Sequence, residues 1–160
     1  MEVFLAWLEG SALGEFMRAG RWTYALVNLS HVFGIACLFG AIATLDLRLM
    51  GVWPRVPISN LATPIVTVAG SGLVLALLTG TLLLSTQATE YVANPFLYIK
   101  FVALALGIIN IVMLHFSSAW RTLEQANASE TGRRRLAIGG AVSLVCWIVT
   151  ISAGRMIAFW

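Results

Sequence analysis

The chain has 160 residues, of which 59% are hydrophobic and 11% charged, with a net charge of +3. A soluble domain carries about 25% charged residues, and the mean hydropathy here is +0.89. These figures exclude a soluble enzyme, a disordered chain and a disulfide scaffold, and they point to an integral membrane protein.

In chain order, the first 20 residues read as an amphipathic helix. Met1, Phe4, Leu5, Leu8, Ala12 and Phe16 fall on one face, and Glu2, Ser11, Glu15 and Arg18 fall largely opposite. Such a helix lies in the membrane interface or packs on a partner subunit. It lacks the basic start of a signal peptide. Four apolar segments follow, each with the roughly 20 residues a helix needs to cross the hydrocarbon core. They run over about 22–45, 61–84, 96–120 and 136–159. Gly51, Pro54 and Pro57 separate the first two, residues 85–95 the middle pair, and the polar stretch 121–135 the last two. Pro64 falls near the start of the second span, where proline is harmless. The fold expected is an all-α, four-helix transmembrane bundle with an N-terminal amphipathic interfacial helix.

Basic residues set the orientation. Arg48 and Arg55 follow the first span and Arg121, Arg133, Arg134 and Arg135 follow the third, whereas the loop after the second holds Glu90 and no basic residue. Positive charge marks the cytoplasmic side. Both arginine loops are therefore expected in the cytoplasm and both termini outside, against the counter-signal of Arg18 and Arg21. The arginines read as topology, not as a nucleic-acid surface. Cys37 and Cys146 lie within apolar runs and are expected to remain unpaired. Small-residue pairs such as Ala36 and Gly40 suit close helix approach.

Ionisable residues at membrane depth are costly, which makes each a functional candidate. They are His31, Asp46, Arg48, Lys100, His115 and Arg155, with Asn28 and Asn110 as neutral companions. At 1.5 Å per residue, His31 lies about 13 Å, and Lys100 and Arg155 about 7 Å, below the outer boundary. His115, Asp46 and Arg48 form an inner layer. His31 reads either as a haem or metal ligand, with Asn28 one turn earlier orienting the ring, or as a histidine hydrogen-bonded between helices. Lys100 and Arg155 read as partners for haem propionates or a quinone head group, or as side chains that snorkel to the interface. Asp46 and Arg48 read as an interfacial ion pair or helix-end anchor, and Asn110 as an interhelical hydrogen-bonding residue. His31 and His115 differ in depth by about 16 Å, too far for one iron. Two versions remain: His31 takes a different sixth ligand or none, or a two-fold homodimer brings two copies of His31 to one depth. No Walker loop, dinucleotide fingerprint, zinc-type cysteine pairs or HExxH is present.

The stretch from His31 through the glycine-rich run to Asp46-Leu-Arg-Leu49 resembles the first span of an uncharacterised bacterial family of small four-helix membrane proteins. Lys100, Asn110 and His115 resemble its other recurrent positions, as does Ala153-Gly154-Arg155. The resemblance covers nearly all the chain after residue 20. It implies a multi-pass protein of the bacterial inner membrane and no particular reaction. A looser likeness links the chain to four-helix cytochrome b and copper-resistance membrane proteins. Three functions follow as expectations. The first is a b-type haem or quinone-linked electron-transfer subunit using His31, Lys100 and Arg155. The second is a non-catalytic accessory subunit of a larger membrane complex. The third is a small metal or solute permease with His31, Asn110 and His115 along its path. The partners expected are the lipid bilayer and further copies or subunits.

Overall fold

A computed structural model describes residues 2–118, 120–121 and 129–160. Residues 122–128 of the polar stretch between the third and fourth spans lie outside the described residues, as do Met1 and Ala119. Among the described residues there are six α-helices, two 3₁₀ turns and no strand. The helices are α1 (Glu2–Glu9), α2 (Ala12–Ala19), α3 (Arg21–Leu49), α4 (Ile58–Leu84), α5 (Pro95–His115) and α6 (Glu130–Met156). The 3₁₀ turns cover Glu90–Ala93 and Ile157–Phe159. The chain is an all-α bundle, and its four long helices are long and apolar enough to cross a membrane. Their 21 to 29 residues give lengths of about 31 to 43 Å.

Capping residues set the ends. Asn94 Oδ1 accepts from Phe96 N at 3.0 Å, and Pro95 opens α5 at a position where its missing N–H costs nothing. Ser129 Oγ accepts from Gly132 N at 3.1 Å and starts α6. That start precedes the expected boundary by six residues, so Arg133, Arg134 and Arg135 lie on the helix rather than in a loop. The third span is shorter than expected. It ends at His115, and the chain turns at Phe116 and Ser117, where Ser117 Oγ accepts from Trp120 N. Trp120 thus folds back into a core cluster with Leu49, Ile58, Ala62 and Leu136. The second span begins earlier than expected, at Ile58, which places Pro64 inside the helix rather than at its start. There its missing N–H leaves a carbonyl one turn earlier without a helical donor.

The long helices alternate in direction and pack in the spatial order α4–α3–α6–α5. Thus α3 and α6 form the back of the bundle, and α4 and α5 are two arms that do not pack along each other. The closest crossing joins α3 to α4. A Cβ on Gly34 would stand 2.9 Å from Ala76 N, and one on Gly72 would stand 2.6 Å from Leu38 N. Only glycines allow the two backbones this approach. The α6 face toward its neighbours is Leu136, Gly139, Gly140, Ser143, Cys146, Trp147, Thr150 and Ala153. Its small residues permit close packing in the way usual for membrane helices. Phe33, Val102, Met113 and Val145 lie more than half exposed on the outside. In a lipid solvent this is the ordinary state of apolar side chains.

The N-terminal segment differs from the single helix expected. It breaks at Gly10–Ser11, because Ser11 is the cap of a second helix and its Oγ accepts from Gly14 N. The two short helices fold back as a hairpin and dock on the loop after α4. Arg18 donates to the carbonyls of Ser85, Thr86 and Glu9. Glu9 Oε2 accepts from Thr89 N at 2.8 Å and from Thr89 Oγ1 at 2.7 Å. Leu5, Leu8 and Met17 are buried, while Phe4, Trp7 and Phe16 point outward. The apolar face expected from the sequence is therefore divided between protein contact and the exterior.

Candidate functional site

His31 stands on α3 toward the hairpin end. Its Nδ1 lies 2.9 Å from Thr79 Oγ1 on α4. Thr79 Oγ1 in turn donates to Leu75 O at 2.6 Å. A hydroxyl has one hydrogen, and that hydrogen is committed to Leu75. The imidazole must therefore donate from Nδ1, toward Thr79 and the neighbouring Ala76 carbonyl. This fixes the tautomer, and Nε2 keeps its lone pair with no hydrogen-bond partner among the described residues. Gly80 supplies the seat, since a Cβ there would stand 3.1 Å from His31 Cε1. Asn28, expected to orient the ring, is exposed. The orienting group is Thr79, 48 positions away in the chain. Only the contiguous Thr79-Gly80 pair, a hydroxyl beside a gap, hinted at this in the sequence.

Lys100 lies half-buried along Gly154, with Nζ 3.5 Å from the position a Cβ would take there. Its charge acts on His31, and it has no ion pair among the described residues. Arg155 does not join this pair. It is exposed and stacks on Phe159 at 4.7 Å. The expected outer layer of three residues thus reduces to two, His31 and Lys100.

At the other end of the bundle, Asp46 and Arg48 go separate ways. Residues two apart on a helix do not share a face. Arg48 donates from Nε to Val56 O at 2.8 Å and from an Nη to Pro54 O at 3.3 Å. It holds the loop in which Gly51 and Trp53 adopt positive φ. Asp46 points inward and is 3% exposed. Its Oδ2 makes no hydrogen bond. Ser143 of α6 faces the same carboxyl, and its buried Oγ has no partner other than Asp46. Gly140 makes the approach possible, because a Cβ there would stand 3.0 Å from Asp46 O.

Asp46 and Ser143 line a cleft of about 150 Å³ between the α4 and α5 arms. Its walls are otherwise apolar, from Leu38, Ile42, Ala69, Leu73, Ile111 and their neighbours, with His115 and Trp120 at one end. His115 packs edge-on to Phe116 and tilted against Trp120. His31 is not among the lining residues, so the two histidines do not meet. Asn110 is an interhelical bridge, donating from Nδ2 to Gly139 O at 3.0 Å. Among the described residues no three His, Cys, Asp or Glu side chains converge on one point. Ser143 was not singled out in the sequence, where it is one small residue of a glycine-spaced pair.

Comparison with family models, curated proteins and solved structures returns no match for this chain.

Proposed function

We propose that the protein is an electron-transfer subunit of the bacterial inner membrane, with His31 as an axial ligand to a b-type haem. The observation that carries this reading is the Thr79 hydrogen bond, which leaves His31 Nε2 with a free lone pair of fixed orientation. Ligating histidines are oriented in this way, through the second ring nitrogen. Lys100 beside it offers a cation to a propionate. The cleft lies at the other end of the bundle, and His31 and Lys100 would hold the group apart from it. A two-fold homodimer then supplies the second His31 at the same depth. The arginine-rich end faces the cytoplasm in this reading, and both termini face the periplasm.

The test is the visible spectrum of the protein purified in detergent after expression with haem supplied, before and after dithionite. A Soret band at near-stoichiometric haem, lost in His31→Ala and broadened in Thr79→Val, is the expected result. A colourless, monodisperse preparation overturns the reading. It transfers the weight to the accessory-subunit alternative, for which the measurement is what co-purifies in mild detergent.

A further inference from the structure

We infer that the cleft between α4 and α5 binds a membrane-soluble molecule with a single six-membered ring bearing oxygen substituents and an apolar tail. This inference stands whether or not His31 holds iron, because the two sites share no residue.

Four observations carry it. First, Asp46 and Ser143 are 3% and 1% exposed and face each other from different helices, and Asp46 Oδ2 and Ser143 Oγ have no partner but one another. A carboxyl and a hydroxyl together offer more lone pairs and hydrogens than one mutual bond uses, so the pair keeps capacity for a third group. Second, both line the same cleft, whose remaining walls are almost wholly apolar. A pocket of apolar walls with a few converging polar atoms is the usual form of a small-molecule site. Third, the size selects the head group. An apolar cavity of about 150 Å³ takes one benzene ring. Fourth, the arms α4 and α5 do not close on each other, and Gly70 of α4, which lines the cleft, has open space where a Cβ would stand. The opening therefore faces the bilayer, where a tail extends among acyl chains. The chemistry at the head is permissive. A hydroxyl both donates and accepts, and a carboxyl accepts when ionised and donates when protonated. Asp46 and Ser143 together serve a ring carbonyl or a ring hydroxyl, and His115 and Trp120 bound the ring at one end.

The experiment uses the full chain in detergent, stripped of lipid and offered a decyl-tailed benzoquinone or the matching alkane. Native mass spectrometry counts the equivalents retained. We expect one equivalent of the ring-headed probe and none of the alkane. Ser143→Ala and Asp46→Leu should each weaken retention by about tenfold or more, the loss of one buried hydrogen bond. Ala69→Phe, which fills the cleft from the α4 wall, should abolish it. If Asp46→Leu does not fold, Ser143→Ala and Ala69→Phe carry the test. Equal retention of the alkane would show a groove for acyl chains and overturn the proposal. Undiminished retention in Ala69→Phe, or in Ser143→Ala with Asp46→Leu, would overturn it as well.

Discussion

Thr79 Oγ1 sits between His31 Nδ1 at 2.9 Å and Leu75 O at 2.6 Å, so one hydroxyl both fixes the imidazole tautomer and ties α3 to α4. Thr79→Val keeps the shape and removes both bonds. The expected cost is about 1 kcal/mol, since interhelical hydrogen bonds in membranes average somewhat less than that. Thr79→Ser should restore it. Nitrogen-15 spectra of labelled histidine give the sharper check: one Nδ1–H tautomer in the parent and in Thr79→Ser, and a mixture in Thr79→Val. A mixed tautomer in the parent would sink the assignment.

Gly72 and Gly40 are both mid-span glycines, yet they should respond oppositely to alanine. A Cβ on Gly72 meets Leu38 N at 2.6 Å and Gly34 O at 2.8 Å, both backbone atoms that cannot swing aside. Overpacking costs about 1–3 kcal/mol where side chains can adjust, and Gly72→Ala should lie at or above the upper end. Gly40 has nothing within 4 Å. Gly40→Ala should be neutral, or stabilising by about 0.5–1 kcal/mol from helix propensity. Unfolding in mixed micelles measures both, and equal effects would contradict the crossing described.

The hairpin latch should open in acid. Two hydrogen bonds from Thr89, first from its backbone and then from its side chain, hold the Glu9 carboxyl below its ordinary value, with Arg18 adding to the effect. A carboxyl whose value is depressed on docking favours the docked state above its free value, about 4.3. It loses that contribution as pH falls through the depressed value. Spin labels on Leu13 and Gln87, both exposed, report the distance from hairpin to loop. We expect one narrow distance at pH 7 that broadens below about pH 4. In Glu9→Gln the distribution should already be broad at pH 7 and should respond little to acid.

Asn110 joins α5 to α6 through a single bond to Gly139 O. Asn110→Leu, similar in volume, should lower stability by about 0.6 kcal/mol and at most about 1.7. It should leave ligand retention in the cleft unchanged, because Asn110 is not among its lining residues. A loss of retention at unchanged stability would place Asn110 in the cleft after all.

The four spans were legible because length and apolarity dominate a membrane helix, and unbroken apolar runs of about 20 residues fit a helix, which satisfies its own backbone in lipid, rather than the short alternating strands of a barrel. The ends were less so. The polar start of α6 reads as loop by composition, and only Ser129 as a cap marks it as helix. The break in the N-terminal helix had a local signal, Gly10-Ser11, outweighed by the continuous apolar face. Of the candidate residues, the separation of Asp46 from Arg48 was already implied by their spacing of two. The partners of His31 and Asp46 were not implied, because Thr79 and Ser143 lie on other helices. Which faces meet depends on glycine crossings such as Gly34 with Gly72 and Gly140 with Asp46. A hydroxyl residue in an apolar span carries no mark of the partner it will meet.

The spatial order α4–α3–α6–α5 bears on biosynthesis. As the chain is made, α3 and α4 can zip together at once, since their crossing is complete without later segments. The third span has no such neighbour. Its packing surface is α6, which is translated after it. Until the ribosome delivers that helix, α5 waits in the membrane with Asn110 unbonded and Gly107 uncovered. That helix is thus the keystone: its insertion joins the α3–α4 pair to α5 and brings Ser143 to Asp46 in the same step.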